Sequence, residues 1–182
     1  MADERALRDA FGCFATGVTI VTSADAEGRP VGFTANSFTS VSLDPPQLLV
    51  CVAKTASSLP AIRAHRLFGV SVLADSQRAL AERFARRGVD RFAAGHWVEA
   101  ESGVLLLEGA CAHFACRLDL EVDSGDHVIL VGRIDSFRAA PDREPLLYLR
   151  GRYVRAEAGA RSATTSPASA SAAPATDGPV QR

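Results

Sequence analysis

The fold class is decided by one alternating stretch of the chain, His113-Phe114-Ala115-Cys116-Arg117-Leu118-Asp119-Leu120-Glu121-Val122. Apolar and polar side chains alternate at nearly every position, and this period of two predicts a strand with one apolar face and one polar face. Gly125-Asp126 then predicts a turn, and the run Val128-Ile129-Leu130-Val131 predicts the strand that returns beside the first. We therefore expect a long antiparallel hairpin in the second half of the chain.

Shorter strands are predicted on both sides of this hairpin. Runs of β-branched and large apolar residues indicate strands at 18–22, about 31–36, 48–53, 68–72, 146–149 and 151–154. The near-continuous apolar run 48–53 is typical of a strand buried on both faces. Because the strands do not alternate regularly with helices, a doubly wound parallel sheet is not expected. The pattern predicts a mainly β chain, an antiparallel barrel with peripheral helices.

Three short helices are expected at the periphery of the barrel. The first has apolar residues at i, i+3, i+4 and i+7 between Leu7 and Phe14 and should end at Gly17. The second should begin at Ser57 as its N-cap, and the third at Ser76, with Phe84 on its apolar side.

The chain divides into a body and a tail of different composition. Its 182 residues are 47% hydrophobic and 23% charged, which predicts one globular domain, residues 1–155. Residues 156–182 are mostly Ala, Ser, Thr, Pro and Gly, and so few large apolar side chains cannot offset the entropy of ordering. We expect a disordered tail over 156–182.

Charge and cysteine usage exclude several classes of partner. Twenty basic and 21 acidic residues give a net charge of −1, which argues against nucleic-acid binding. Neither a membrane-spanning apolar run nor an apolar leader is apparent, so no membrane association and a cytoplasmic location are expected. The four cysteines form no CxxC pair and are interpreted as small apolar residues, so no metal site is expected.

Three polar clusters, each beside a strand end, are the candidate sites. The segments 32–37 and 40–46 are rich in small hydroxyl and amide groups, which either suit a planar polar ring or hydrogen-bond the backbone of their own loops. The segment 53–60 places Lys54, the only lysine, beside hydroxyl groups at a helix start, which suits a phosphate or a plain helix cap. The third cluster is Gly125-Asp126-His127, which a tight turn would also explain.

Basic and aromatic residues follow the third helix. Arg83-Phe84-Ala85-Arg86-Arg87 and Asp90-Arg91-Phe92 either extend the candidate site or form a solvated helix face. No GxGxxG, GxxxxGK[ST], HExxH or GxSxG motif is present, so the commonest nucleotide-binding loops and hydrolytic motifs are absent.

Taken together and in this order, the clusters resemble the short-chain flavin reductases that serve two-component monooxygenases. The matching stretches cover nearly the whole body: 15–22, 32–38, 40–46, 83–85, and 125–127 with Gly132. The amino-acid sequences of segments 54–60 and 83–87 are most similar to those of the reductases of actinomycete antibiotic pathways, such as the actinorhodin one.

The resemblance implies a fold, an activity and an assembly. The fold would be an FMN-binding split β-barrel of Greek-key type, assembled as a homodimer. The activity would be that of an NAD(P)H:flavin oxidoreductase, which reduces FMN or FAD with NADH, or with NADPH, and supplies reduced flavin to a partner monooxygenase. Two alternatives stay open: a non-catalytic flavin-binding or flavin-sensing module, and a self-contained flavin oxidase on the same barrel.

The resemblance also implies which residues hold the cofactors. Those lining the isoalloxazine and ribityl chain would be Thr34, Ala35, Asn36, Ser37, Ser40, Val41 and Ser42. Those presenting backbone to the ring edge would be Cys51, Val52 and Ala53, and those holding phosphate would be Lys54, Ser57 and Ser58. Those closing over the flavin tail would be Arg83, Phe84 and Ala85. His127 would face the nicotinamide, as the one residue implied to act in the hydride step. Phe33 stands where many family members have Met, another bulky apolar residue.

Overall fold

A computed structural model describes residues 3–156 of the chain, which contain twelve strands and three α-helices. The strands are β1 (Thr16–Gly17), β2 (Thr19–Ala24), β3 (Pro30–Ala35), β4 (Thr39–Leu43), β5 (Pro46–Ala53), β6 (Leu67–Val72), β7 (Trp97–Glu99), β8 (Leu105–Leu107), β9 (Ala112–Ser124), β10 (His127–Ala139), β11 (Leu147–Leu149) and β12 (Arg152–Val154). The helices are α1 (Glu4–Phe11), α2 (Leu59–His65) and α3 (Arg78–Ala85), the last preceded by a 3₁₀ turn at Asp75–Gln77. The predicted tail, apart from Ala156, lies outside the described residues.

Seven strands form the main sheet in the order β3-β2-β6-β9-β10-β5-β4, with every neighbouring pair antiparallel. Smaller sheets, β1-β11-β12 and the hairpin β7-β8, pack beside it. Ser37, just after β3, hydrogen-bonds the backbone of Cys51 in β5, so the two ends of the main sheet meet there. This architecture confirms the predicted antiparallel barrel with peripheral helices. Within residues 3–156, no helix has the length and apolar character needed to cross a membrane.

Two apolar clusters form the core. One lies inside the main sheet and includes Phe68, Leu118 and Leu130, each at most 2% exposed. The other includes Ile20 and Phe84 and joins α3 to β2 and to the chain around β11. The second cluster holds α3 in place, and the end of α3 forms part of the candidate site.

The long hairpin is present, although its apolar face is buried over only part of its length. Cys116 and Leu118 in β9 are buried, whereas Leu120 is 54% exposed and Val122 42% exposed. The register of β9 against β10 shifts between Val131 and Gly132, so that Leu120 and Val122 lie opposite Val131 and Ile129, on the face of the hairpin turned away from the buried Leu130. The alternation therefore predicted the strand correctly but predicted too much burial within one chain.

Several local predictions were wrong. The first helix ends at Phe11, and Gly17 lies in strand β1. None of the residues of α1 is buried, and Phe14 beyond it is 77% exposed, so the apolar stripe does not pack on this chain's core. The segment 39–43 forms strand β4 where the sequence suggested a polar loop. The hairpin β7-β8 was not anticipated.

Smaller corrections concern helix caps and the burial of β5. The residue preceding α2 is Ser58, one position after the predicted cap Ser57, and Gln77 stands in place of Ser76 before α3. Side chains of β5 alternate between buried and half-buried, so this strand is covered fully on one face only.

Replacing Gly132 with alanine is expected to destabilise the fold. A Cβ at this position would overlap the ring of Phe68, which is fully buried and cannot move aside. Overpacking of this kind costs about 1–3 kcal/mol, which corresponds to a fall in Tm of roughly 2–12 °C for a chain of this size. Gly17→Ala is the matched control, because a Cβ there meets no atom within 4 Å. Equal Tm values for the two variants would contradict this packing argument.

Candidate functional site

A cavity of about 750 Å³ lies where the ends of β3, β5 and α3 approach one another. Its volume falls within the range of about 300–1,000 Å³ that is typical of small-molecule sites. Residues from four parts of the chain line it: Phe33, Thr34, Ala35, Asn36, Ser37, Cys51, Ala53, Thr55, Ala56, Ser57, Ser58, Phe84, Ala85, Arg87, Gly88, Val89, Arg91 and His127. The wall therefore combines strand backbone, small hydroxyl side chains, one buried aromatic ring and two arginines.

One wall of the cavity is an open strand edge. Strand β4 pairs with β5 only as far as Leu49, so within residues 3–156 β5 has no neighbouring strand on that side at Cys51 and Ala53. The hydroxyl of Ser37 covers Cys51: it accepts from the Cys51 N–H at 2.9 Å and donates to the Cys51 carbonyl at 3.3 Å. Backbone directions alternate along a strand, so the N–H of Ala53 points to the same side as that of Cys51. This edge offers a backbone donor to a ligand in the cavity.

A second wall carries a buried hydroxyl with no partner. Ser58 is 1% exposed, and its Oγ has no hydrogen-bond partner within residues 3–156. A buried polar atom without a partner costs about 1–3 kcal/mol, which a ligand acceptor would recover. Arg87 faces the same cavity, and its guanidinium has no hydrogen bond or ion pair with the described part of the chain. An anionic group fits this pair of donors.

The third wall is held rigidly by contacts behind it. The hydroxyl of Thr34 donates to the carbonyl of Ala81 at 2.6 Å, tying β3 to α3. The guanidinium of Arg91 donates to the carbonyl of Gly32 at 2.7 Å and to that of Arg86 at 2.7 Å. Burial, and to a smaller extent the charge of Arg87, lower the pKa of Arg91. Arg91 therefore joins β3 to the segment that follows α3, while Arg87 remains available to a ligand.

The aromatic side of the cavity is the ring of Phe84. This ring is fully buried; it packs edge-on against Phe92, with centroids 5.1 Å apart, and at a tilt of 43° against Trp97, with centroids 5.4 Å apart. These contacts fix the end of α3 against β3.

His127 closes the cavity at the start of β10. Its Nδ1 lies 2.8 Å from Oδ1 of Asp126, so this contact orients the ring and leaves Nε2 for a ligand. The hydrogen bond from His127 is the main cause that lowers the pKa of Asp126. The side chain of His127 is 45% exposed, which places it at the mouth of the cavity.

The structure brings most of the predicted site residues together. Those that line the cavity are Thr34, Ala35, Asn36, Ser37, Cys51, Ala53, Ser57, Ser58, Phe84, Ala85 and His127. Those that do not are Ser40, Val41, Ser42, Val52, Lys54 and Arg83.

Each residue outside the cavity has a physical reason to be there. Ser40, Val41 and Ser42 belong to β4, which runs along the far part of β5. Val52 is 1% exposed and points into the core.

The two cations predicted to hold the flavin, Lys54 and Arg83, also have partners outside the cavity. The ammonium of Lys54 lies 3.3 Å from Asp123 of β9, and the guanidinium of Arg83 donates to the carbonyl of Asp90 at 2.7 Å. The position of Lys54 does not match its predicted place at the phosphate.

The sequence reasoning missed Thr55, Ala56, Gly88 and Val89, and did not assign Arg87 and Arg91 to the site. The sequence does contain a signal for the two arginines, because the basic and aromatic residues after α3 indicate either an extension of the site or a solvated helix face. Phe33 had been noted only as a bulky apolar residue.

Comparison with known proteins identifies the family. Residues 11–157 match the flavin reductase like domain. The chain belongs to this family.

Relatives of this flavin reductase-like chain include reductase subunits and polyketide enzymes. It is 48% identical over 151 residues to the stachydrine N-demethylase reductase subunit Stc3 of Rhizobium meliloti, covering 83% of this chain and 65% of that protein. It is 42% identical over 152 residues to actinorhodin polyketide dimerase of Streptomyces coelicolor, covering 84% of this chain and 86% of that protein. The chain spans about half to two thirds of the length of several relatives, since two others at 48% and 46% identity are matched over 48% of their length.

A solved structure confirms the fold that the resemblance implied. The NADH:FAD oxidoreductase SgcE6 of Streptomyces globisporus, solved in complex with NAD and FAD fragments, superposes with a TM-score of 0.83 at 43% identity. The match covers 87% of this chain and 95% of that one. The flavin reductase-like chain therefore has the split-barrel fold of its structural neighbours.

The groups that line the cavity fit a flavin. It offers an open strand edge to a planar ring at one wall and the unpartnered Ser58 hydroxyl with Arg87 to a phosphate at another. Both chemical halves of a flavin mononucleotide thus find matching groups in one cavity.

Proposed function

We propose that the protein is an NAD(P)H:flavin oxidoreductase that reduces FMN or FAD and supplies the reduced flavin to a separate monooxygenase. The observation that carries this proposal is the orphaned hydroxyl of buried Ser58, which faces the same cavity as the free cation Arg87 and the open edge of β5. The family membership supports it, as do relatives named as a reductase subunit and as an NADH:FAD oxidoreductase.

Binding and orientation are the tasks of the strand edge and the hydroxyl wall. Asn36 and the N–H of Ala53 would donate to the edge of the ring, and Ser57, Ser58 and Arg87 would hold a phosphate, since all of them line the cavity. Phe84 gives an apolar face that excludes water from that side. A flavin held there would supply the redox chemistry as hydride acceptor, so the protein would need no strong acid or base of its own.

His127 orients the hydride donor. Asp126 holds its Nδ1, so Nε2 is the ring nitrogen free to hydrogen-bond the carboxamide of a nicotinamide. Its position at the cavity mouth is where a second planar molecule can lie over the first.

The proposal is tested by steady-state oxidation of NADH or NADPH by the purified chain with added FMN or FAD. We expect turnover that depends on free flavin, and rapid bleaching of bound flavin by the nicotinamide with no third substrate. Tight flavin binding without turnover would indicate a sensing module. Bleaching only in the presence of an organic substrate would indicate a self-contained oxidase. A coupled assay with a flavin-dependent monooxygenase then tests the delivery of reduced flavin.

We also propose that two copies of the chain form a homodimer. β4 is an edge strand of the main sheet, with Leu43 92% exposed, and Leu120 and Val122 lie exposed on the outward face of the long hairpin. An exposed apolar edge of this kind is normally covered by another chain.

Leu43→Glu is expected to break this dimer. A charge cannot be buried at an apolar interface without a partner, so the variant should sediment as a monomer while the original chain sediments at twice 19.2 kDa. Val98→Glu, at an exposed apolar position on the separate hairpin β7-β8, is the control and should stay dimeric. A monomeric original chain would contradict the proposal.

A further inference from the structure

The loop 86–91 carries the unpaired cation of the candidate flavin cavity. It begins where α3 ends, and Arg87, Gly88 and Val89 in its middle all line the cavity. These three residues are exposed, and within residues 3–156 none of them takes part in a hydrogen bond. The position of Arg87 therefore depends on how the two ends of the loop are held.

Arg91 joins the two ends of the loop to each other and to the barrel. Its guanidinium donates to the carbonyl of Arg86 through Nη2 at 2.7 Å and through Nε at 3.2 Å. Its Nη1 donates to the carbonyl of Gly32 in β3 at 2.7 Å. One planar group thus spans two carbonyls from distant parts of the chain, a geometry that a lysine ammonium does not reproduce.

The residues beside Arg91 are held as well. The Nε of Arg83 in α3 donates to the carbonyl of Asp90 at 2.7 Å. A carboxylate oxygen of Asp90 accepts from the N–H of Phe92 at 3.1 Å and from that of Ala93 at 3.2 Å. The far end of the loop is therefore fixed to α3, and the Arg91 guanidinium fixes the loop to β3.

The charges of Arg91 and Arg87 influence the direction in which Arg87 extends. Burial is the larger cause that lowers the pKa of Arg91 and the charge of Arg87 is the smaller one, so the two cations lie within electrostatic reach. Because Arg91 is held by two carbonyls, repulsion disfavours a conformation in which Arg87 folds back against β3. Arg87 is thereby kept on the cavity side, which it shares with the unpartnered hydroxyl of Ser58.

We propose that Arg91 is a positioning residue that lets the site distinguish flavin nucleotides from riboflavin. By holding the loop 86–91 against β3, it keeps Arg87 facing the cavity, where Arg87 and Ser58 bind the flavin phosphate. This inference rests on the proposed function, which places the phosphate at those two residues. Arg91 acts through Arg87 and makes no contact of its own with the flavin.

The direct test compares the Kd of FMN with that of riboflavin, which has the same ring and ribityl chain but no phosphate. In Arg91→Gln the Kd of FMN should rise about 10-fold or more, approaching the loss expected for Arg87→Gln. The Kd of riboflavin should change by less than about threefold. A general distortion of the cavity would weaken both ligands alike, so equal losses, or no loss for FMN, would overturn the inference.

Arg86→Gln is the matched control. It removes an exposed arginine from the same loop, whose side chain has no partner within residues 3–156 and does not line the flavin cavity. The carbonyl of residue 86, to which Arg91 donates, is kept. Both Kd values should stay within about threefold of those of the original chain. A loss of FMN affinity as large as that of Arg91→Gln would assign the effect to the net charge of the loop and contradict positioning.

A double substitution separates positioning from direct contact. In a chain that already carries Arg87→Gln, Arg91 has no cation to position. Adding Arg91→Gln to that chain should therefore change the Kd of FMN by less than about threefold. The same fold-change in both backgrounds would show that Arg91 binds the flavin itself, which would overturn the inference.

Arg91→Lys separates position from charge, and it carries the test if Arg91→Gln does not fold. The lysine keeps the cation and loses the planar fork, so the Kd of FMN should still rise more than about threefold while the Kd of riboflavin does not. A smaller change for FMN would assign the effect to charge alone, and positioning would be wrong.

Failure of this inference differs from failure of the proposed function. If the original chain binds FMN and riboflavin with equal Kd, Arg87 does not hold the phosphate and the inference fails, whatever the turnover with NADH or NADPH. If the chain oxidises neither nicotinamide nucleotide with any flavin, the proposed function fails. The titrations still test Arg91 in that case, because they need no turnover.

Discussion

Replacing Arg87 with glutamine is expected to weaken flavin binding about 10- to 100-fold, as for loss of a charge-assisted phosphate contact. Arg87 lines the candidate flavin cavity opposite the unpartnered hydroxyl of Ser58, and its guanidinium has no partner of its own within residues 3–156. The Kd of FMN and of FAD, from quenching of flavin fluorescence, measures the effect. Since the hydride step does not involve Arg87, the rate of reduction at saturating flavin should change little.

The matched control is Lys54→Gln, which removes the cation that the sequence favoured. The ammonium of Lys54 is engaged by Asp123 outside the cavity, so its loss should change the Kd by less than about threefold through long-range charge alone. A larger effect for Lys54→Gln than for Arg87→Gln would show that the lysine turns into the cavity when flavin binds. That outcome would restore the prediction made from the sequence.

Replacing His127 with alanine is expected to lower kcat/KM for NADH about 5- to 150-fold, the effect of losing an orienting contact that strengthens in the transition state. The Kd of flavin should stay nearly unchanged, because the phosphate and ring walls do not involve the imidazole. Stopped-flow reduction of flavin bound to the variant measures the step directly. A rate and a saturation constant equal to those of the original chain would exclude His127 from the hydride step.

Two further variants separate orientation from simple loss of a histidine. His96→Ala removes an exposed imidazole outside the cavity and should leave kcat/KM unchanged. Asp126→Asn keeps a hydrogen-bond acceptor for Nδ1 but removes the charge beside it, so its kcat/KM should lie between those of His127→Ala and the original chain.

The position of Lys54 differs from the one that the sequence predicts for it. The segment after β5 was predicted to hold phosphate, and Ser57 and Ser58 do line the cavity. Lys54 lies in the turn after β5, where its N–H donates to the carbonyl of Asp126 at 2.9 Å and its ammonium lies 3.3 Å from Asp123 of β9. Of the two arginines that line the cavity, Arg87 and Arg91, the one without a partner within residues 3–156 is Arg87, two residues after the end of α3.

The outward face of the long hairpin and the first helix show the opposite error, in which burial is predicted for residues that are exposed. Leu120, Val122 and the apolar residues of α1 follow the patterns that predict burial, yet they are exposed in a single chain. A pattern records that a face is apolar, and it does not record whether the covering surface comes from the same chain or from a second copy.

The sequence by itself determined the antiparallel strands, their order along the chain and the polar clusters at the strand ends, because the period of two and the turn residues are local properties. It also determined the family, since the clusters occur in the family's order. The tertiary structure alone decided which cation reaches the cavity and that Arg91 holds the loop that carries it. These positions depend on contacts between distant segments: the packing of Phe84 at Gly32 places the end of α3, and the bond from Arg91 to Gly32 places the loop beside β3. No local pattern encodes such an approach, because its geometry follows from the packing of the whole core.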